Sequence, residues 1–345
     1  MMRRELGEMR IRRHRRPLRP GDLVEIRPAA EILATLDSNG SFEALPFMPE
    51  MLQYVGRRFR VSRRVEKICD TAGGTFSSRR MRGTVLLEDL RCDGAAHGGC
   101  QAQCRLYWKE EWLRRVKPNS VAAEPQGDLA ELESLTRMGT RVVRELDGEE
   151  VETYRCQATE APAASKPLRG FDVRQYAREV ACGNVGPLHA TWVLSRAVGW
   201  GVLRRLRLRS NLLLGTNRTV AATPPSLHLQ PGELVQVRSE AEIAATLDDR
   251  GKNRGLWFDV EMVPHCRGTY RVQGRVDRFI DDRTGKMVEL LSDCLVLEGV
   301  VCSGERSSWR YFCPRGIYPW WREAWLRRVE DESPAKPTGP PARTH

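Results

Sequence analysis

The chain has 345 residues, of which 41% are apolar and 29% charged, the make-up of a soluble globular protein of two or three domains. No stretch is long and apolar enough to span a bilayer, the nearest being Leu188 to Leu203, so a membrane-spanning protein is excluded as a reading. The net charge of +11 is unevenly placed: residues 1–20 hold eight Arg against Glu5 and Glu8.

Residues 1–19 therefore read as a basic flexible arm. Within it Arg12, Arg13, Arg15 and Arg16 are expected either to be solvated or to contact phosphate, since such side chains displace counterions from nucleic acid. A first unit is expected over 20–118. Pro20-Gly21 opens a short strand with Leu23, Val24 and Ile26. Pro28 then starts a helical stretch through Ile32, Leu33 and Leu36, which Asn39-Gly40 stops. A second strand carries Phe59, Val61 and Val65, and a third runs from Gly83 to Leu90, with a hairpin connection between them. Cys92 to Cys104 is rich in Gly and Cys and too poor in apolar residues for regular structure. Trp108 and Trp112 return the chain to the core, and Leu113 and Val116 close the unit as a last strand.

Residues 119–229 are expected to be a helical connector, with helical spacing over 129–138, 171–181 and 188–208. Residues 230–330 then repeat the first unit. Pro20-Gly21-Asp22-Leu23-Val24-Glu25-Ile26-Arg27 returns as Pro231-Gly232-Glu233-Leu234-Val235-Gln236-Val237-Arg238, and Trp108 to Val116 returns as Trp321 to Val329. Such self-similarity outranks local propensity as a guide to architecture. Residues 331–345, with four prolines, read as a disordered tail.

About five strands per unit suit a small partly open barrel. The opening Pro-Gly-Asp-Leu-Val-Glu-Ile resembles the first strand of SH3-like barrels, including the KOW-type barrels of translation and transcription proteins, and the closing Trp-Leu-Arg-Arg-Val resembles their last strand. The chain as a whole resembles a set of uncharacterised bacterial proteins with two such repeats, which implies no activity. The expected fold is mainly β: tandem SH3-like partly open barrels, each with a cysteine-rich loop, joined by the helical connector.

With no recognisable export signal, the ten cysteines are expected in a reducing, cytoplasmic setting, where they read as metal ligands or redox thiols before disulfides. Each unit holds four. In the first, Cys69, Cys92, Cys100 and Cys104 are candidate zinc ligands, with His97 able to replace one. In the second, Cys302 aligns with Cys92 and Cys313 with Cys100, while Cys266 and Cys294 come from different positions. Up to two zinc ions are expected. An iron–sulfur cluster is the alternative that all-cysteine ligation permits, although its familiar spacings are absent. Reduced core thiols are the third reading, Cys294 in its apolar run above all, and Cys156 and Cys182 read as structural thiols.

The second unit also interleaves aromatic and basic residues. Trp309, Tyr318 and Trp320 with Arg310 and Arg315 are candidates to stack bases or grip a partner, whereas Trp321 and Trp325 recur as Trp108 and Trp112 and belong to the core. No H-E-x-x-H, phosphate-binding loop, nucleophile elbow or dinucleotide fingerprint occurs. The first expectation is thus a non-catalytic, metal-stapled binding protein contacting nucleic acid or a ribonucleoprotein. A scaffold docking partner chains through aromatic faces and a metalloenzyme or redox protein are the alternatives.

Overall fold

The computed structural model of the chain describes residues 16–71, 78–119, 129–146, 148–169, 172–206, 213–215, 226–308 and 310–329. Strands β1 (Leu23–Ile26), β2 (Arg58–Arg64), β3 (Thr84–Arg91), β4 (Arg105–Lys109) and β5 (Leu113–Arg115) form one antiparallel sheet in the order β4-β3-β2-β1-β5. Gly21 opens it with φ +87, a conformation that glycine adopts without a Cβ penalty. Alternation sends Val24, Ile26, Val61, Val85 and Leu87 inward. The pairing slips between Val61 and Arg63 and between Leu86 and Arg91. Such bulges bend and twist a strand, so the sheet curls halfway round and stays open.

A second antiparallel sheet has four strands, β6 (Leu234–Val237), β7 (Thr269–Arg275), β8 (Leu295–Leu297) and β9 (Leu326–Arg328), in the order β8-β7-β6-β9. Its outer edge goes no further than a single bridge from Leu295 to Trp321. The reason lies in the sequence: the segment that would supply the next strand carries Pro314, Gly316 and Pro319, and proline has no amide to give a sheet.

The two sheets bury matching aromatic cores. Phe47 meets Trp112 edge-on at 5.1 Å and Trp108 at 6.0 Å, and Phe258 meets Trp325 at 5.1 Å and Trp321 at 6.1 Å. Edge-to-face geometry of this kind adds about 1 kcal/mol per pair beyond the area buried. The indole nitrogens of Trp112 and Trp325 donate to Thr35 and Thr246 at 3.1 and 3.0 Å.

These observations correct the expected tandem of SH3-like barrels. The fold is mixed α/β, with one half-curled five-stranded sheet, one four-stranded sheet and several small separate sheets. Nor is the connecting stretch purely helical. Helices Leu129–Met138, Arg174–Ala181 and Pro187–Arg205 form, but Arg141–Leu146 and Glu149–Tyr154 pair as a hairpin, and Lys166–Leu168 adds a strand beside Ser78–Arg80. Leu132 and Ala161 from this stretch complete the first core.

The halves do not sit as independent beads. The hairpin of each reaches into the cysteine loop of the other. From the first half, the Cys69 amide donates to Cys313 Sγ at 3.2 Å; from the second, the Ile280 amide donates to Cys100 Sγ at 3.4 Å. The Gln101 amide donates to the Arg278 carbonyl at 3.1 Å, and Arg91 donates to the Gly316 carbonyl at 2.9 Å.

Candidate metal centre

The Cys92–Cys104 loop is pinned at its mouth by the Cys92 amide, which donates to the Cys104 carbonyl at 2.8 Å. Gly94 makes its first bend at φ +73, and a Cβ there would stand 2.0 Å from the Cys100 carbonyl oxygen. The loop can therefore close only over glycine. Its tight course turns His97 inward, where the ring is 1% exposed.

The partner of His97 is Glu50, on the 3-10 helix Pro49–Tyr54. Glu50 Oε1 lies 2.6 Å from His97 Nδ1 and accepts from the Ala96 amide at 3.1 Å. Burial raises the Glu50 carboxyl, but the hydrogen bond and charge of His97 outweigh it and hold the group below its ordinary range. The other oxygen, Oε2, is buried with no hydrogen-bond partner among the described residues. His97 Nε2 lies 3.3 Å from the Arg155 carbonyl. Cys92 completes the group: one donor atom each from Glu50, Cys92 and His97 all lie within 4.8 Å of one another. Burial, with the nearby Glu50 charge, pushes the Cys92 thiol well above its ordinary value. A carboxylate, a thiol and an imidazole so placed are a donor set for a borderline cation.

His97 and Cys92 also line a cavity of ≈ 40 Å³, shared with Cys100, Cys104, Cys156 and Arg315. Burial pushes the thiols of Cys104 and Cys156 up to about 12. Three more sulfurs thus stand around the space beside the trio.

The second half holds a natural comparison. Glu261 stands where Glu50 does, but Ser307 replaces His97, five residues after Cys302 as His97 is after Cys92. Both oxygens of Glu261 are satisfied: Oε1 accepts from the Arg306 and Ser307 amides at 2.7 Å, and Oε2 accepts from Ser303 at 2.7 Å. The same carboxylate is a finished loop clamp in one half and an unfinished one in the other.

The expected ligands are dispersed. Cys92 and His97 meet, and Cys100 and Cys104 line the adjoining cavity. Cys69 leaves this group for Cys313 in the other half. Cys266 packs against the second core, and Cys294 is buried with its Sγ accepting from Arg322 at 3.1 Å. Cys302 uses its amide to hold the Ile317 carbonyl at 2.8 Å. Where two ions were expected, the described residues hold one donor cluster, and no three cysteines in them form a cluster of the iron–sulfur kind. Glu50 escapes a reading based on cysteine spacing. Its signal was the recurrence of Phe47-x-x-Glu50 as Phe258-x-x-Glu261.

The expected nucleic-acid face is corrected too. Arg12, Arg13, Arg15 and Trp309 lie outside the described residues, and Arg16 is exposed. Arg315 is buried, with its guanidinium on the Cys69 carbonyl and Thr71. Arg310 pairs with Asp259 at 3.3 Å, Tyr318 lies under the Arg91 guanidinium at 4.0 Å, and Trp320 packs edge-on against Phe279 at 4.6 Å. Among the described residues these side chains are engaged with other parts of the fold and form no open row of aromatic and basic groups. Among the described residues no helix is long and apolar enough to cross a membrane. No family model, curated protein or solved structure matches the chain.

Proposed function

We propose that this is a metal-binding protein in which Glu50, Cys92 and His97 hold a zinc ion in a structural role. The observation that carries the reading is the buried Glu50 oxygen left without a partner beside a thiol and an imidazole. An unpaired carboxylate oxygen away from water is costly, and a cation supplies what is missing. Mixed oxygen, nitrogen and sulfur ligation suits zinc, which accepts all three in a tetrahedral site. Cys100, Cys104 and Cys156 line the adjoining cavity and are the sulfurs available for a fourth corner. The ion would tie the Cys92–Cys104 loop to the helix Pro49–Tyr54 and so to the first core.

Cobalt substitution tests the donor set. Protein loaded with Co²⁺ should show a thiolate-to-cobalt charge-transfer band that disappears in Cys92→Ser and weakens in Glu50→Gln. A protein without that band, or a Cys92→Ser variant that keeps it, would overturn the assignment.

A further inference from the structure

We propose that Cys69 and Cys313 are a dithiol that hydrogen peroxide closes to a disulfide, locking the two halves of the chain together. The two residues are 244 positions apart, yet the Cys69 amide donates to Cys313 Sγ at 3.2 Å. Both are free and buried. Neither belongs to the Glu50–Cys92–His97 group, so this pair stands apart from the zinc reading.

The surroundings divide the labour between the two sulfurs. Arg315 places a guanidinium nitrogen 3.2 Å from the Cys69 carbonyl and 3.9 Å from its sulfur. Lys67, two residues upstream, is buried, and its ammonium has no hydrogen-bond partner among the described residues. The pairing with Cys313, together with the Arg315 and Arg310 charges, lowers the Cys69 thiol, while the same pairing and burial push Cys313 up. Cys69 is therefore the sulfur that ionises first.

Packing alone does not explain a sulfur at position 69. Ile280 occupies the matching place in the other hairpin, with its amide on Cys100 as that of Cys69 is on Cys313. An aliphatic side chain serves that contact in one half; the other half carries a thiol opposite a thiol. Arg315 and Thr71, which hydrogen-bond each other at 2.7 Å, line a cleft of ≈ 300 Å³, and Arg315 is in contact with Cys69.

The chemistry balances with peroxide as the oxidant. The Cys69 thiolate attacks one peroxide oxygen, the O–O bond breaks, and hydroxide leaves, giving a sulfenic acid on Cys69. The Cys313 sulfur then attacks the Cys69 sulfur. Its proton and the sulfenic hydroxyl leave as water, and the S–S bond forms. In sum the thiolate and the thiol lose two electrons to one peroxide, which leaves as one hydroxide and one water; the hydroxide takes a proton from solvent to become the second water.

The test is a thiol map of the native protein. Purified protein is treated with hydrogen peroxide, blocked with N-ethylmaleimide, unfolded and digested with trypsin without reduction. The peptides spanning 68–79 and 311–315 should leave the alkylated pool together and reappear as one cross-linked species. Cys313→Ser should instead leave a dimedone-reactive Cys69, and Cys92→Ser, which disables the metal centre, should form the cross-link as the wild type does. Full alkylation of both peptides at peroxide levels that oxidise other cysteines of the chain would overturn the proposal. A cross-link from Cys313 to Cys302 in place of Cys69 would overturn it equally.

Discussion

Replacing Lys67 with Met should stabilise this protein, although it removes a charged side chain. Lys67 is fully buried, and burial lowers its ammonium from the ordinary 10.5 to about 8. That displacement corresponds to a cost of about 3 kcal/mol for keeping the amine charged in the fold at neutral pH. Against it stands the ring of Tyr176, 4.7 Å from the ammonium, a contact worth about 1–2 kcal/mol. Methionine fits a similar volume and removes both terms, so the net gain at pH 7 is about 2 kcal/mol. The change does not strand a buried anion. Burial pushes the neighbouring Glu179 carboxyl up to about 7, so it takes up a proton readily, and Arg315 remains beside Cys69. The sign with pH follows from linkage. Between about 8 and 10.5 the unfolded lysine holds a proton that the folded one has released, so wild-type stability rises with pH in that window. The gain from methionine should be full below pH 8 and shrink by roughly 1.4 kcal/mol for each pH step above it. Urea unfolding of both proteins at pH 7 and pH 9.5, with reductant, measures this. A variant less stable than wild type at pH 7, or a difference that does not change with pH, would refute the reasoning.

Three further outcomes follow from the geometry. Gly94→Ala should destabilise by about 2 kcal/mol or more, because its Cβ would meet the Cys100 carbonyl at 2.0 Å, whereas Gly21→Ala, with nothing within 4 Å, should cost only about 1 kcal/mol for its left-handed backbone; thermal melts of the pair separate the two. Phe47→Ala and Phe258→Ala should each cost about 3–5 kcal/mol in denaturant unfolding, since each removes the ring that meets two buried tryptophans. Acid should weaken the fold through Glu66 and Glu25. Burial raises both carboxyls, but Arg64 and Arg80 around Glu66, and Arg114 and Arg58 around Glu25, more than offset it and hold both below their ordinary range. Their contribution is complete above about pH 4.5 and is lost as pH falls through the depressed folded values, so Glu66→Gln should flatten the acid limb of the stability profile.

Much of the core was legible in the chain. The Pro-Gly turns, β1, β5 and the paired tryptophans sit where the repeated segments place them, because short-range alternation and turn chemistry decide those elements. Closure into barrels was not, because it depends on which edges can pair. Arg105–Lys109 has free amides and joins the first sheet, while the prolines at 314 and 319 deny the second sheet that strand. The site was half legible. Cys92 and His97 could be named from the loop between them and its glycines. Glu50 could not be found by counting cysteines, and the departure of Cys69 to Cys313 depends on hairpins that cross between the halves, a contact 244 positions long. The basic and aromatic run looked like an exposed face because sequence shows neighbours along the chain; Arg315 and Tyr318 instead found partners across it.

Native mass spectrometry of the purified chain tests the metal centre most directly. The account predicts one zinc ion per chain in the wild type, none in Cys92→Ser or His97→Ala, and an unchanged single ion in Glu261→Gln, whose carboxylate is already satisfied by amides and a serine. A metal-free wild type, or an ion that stays when Cys92 and His97 are replaced, would contradict it.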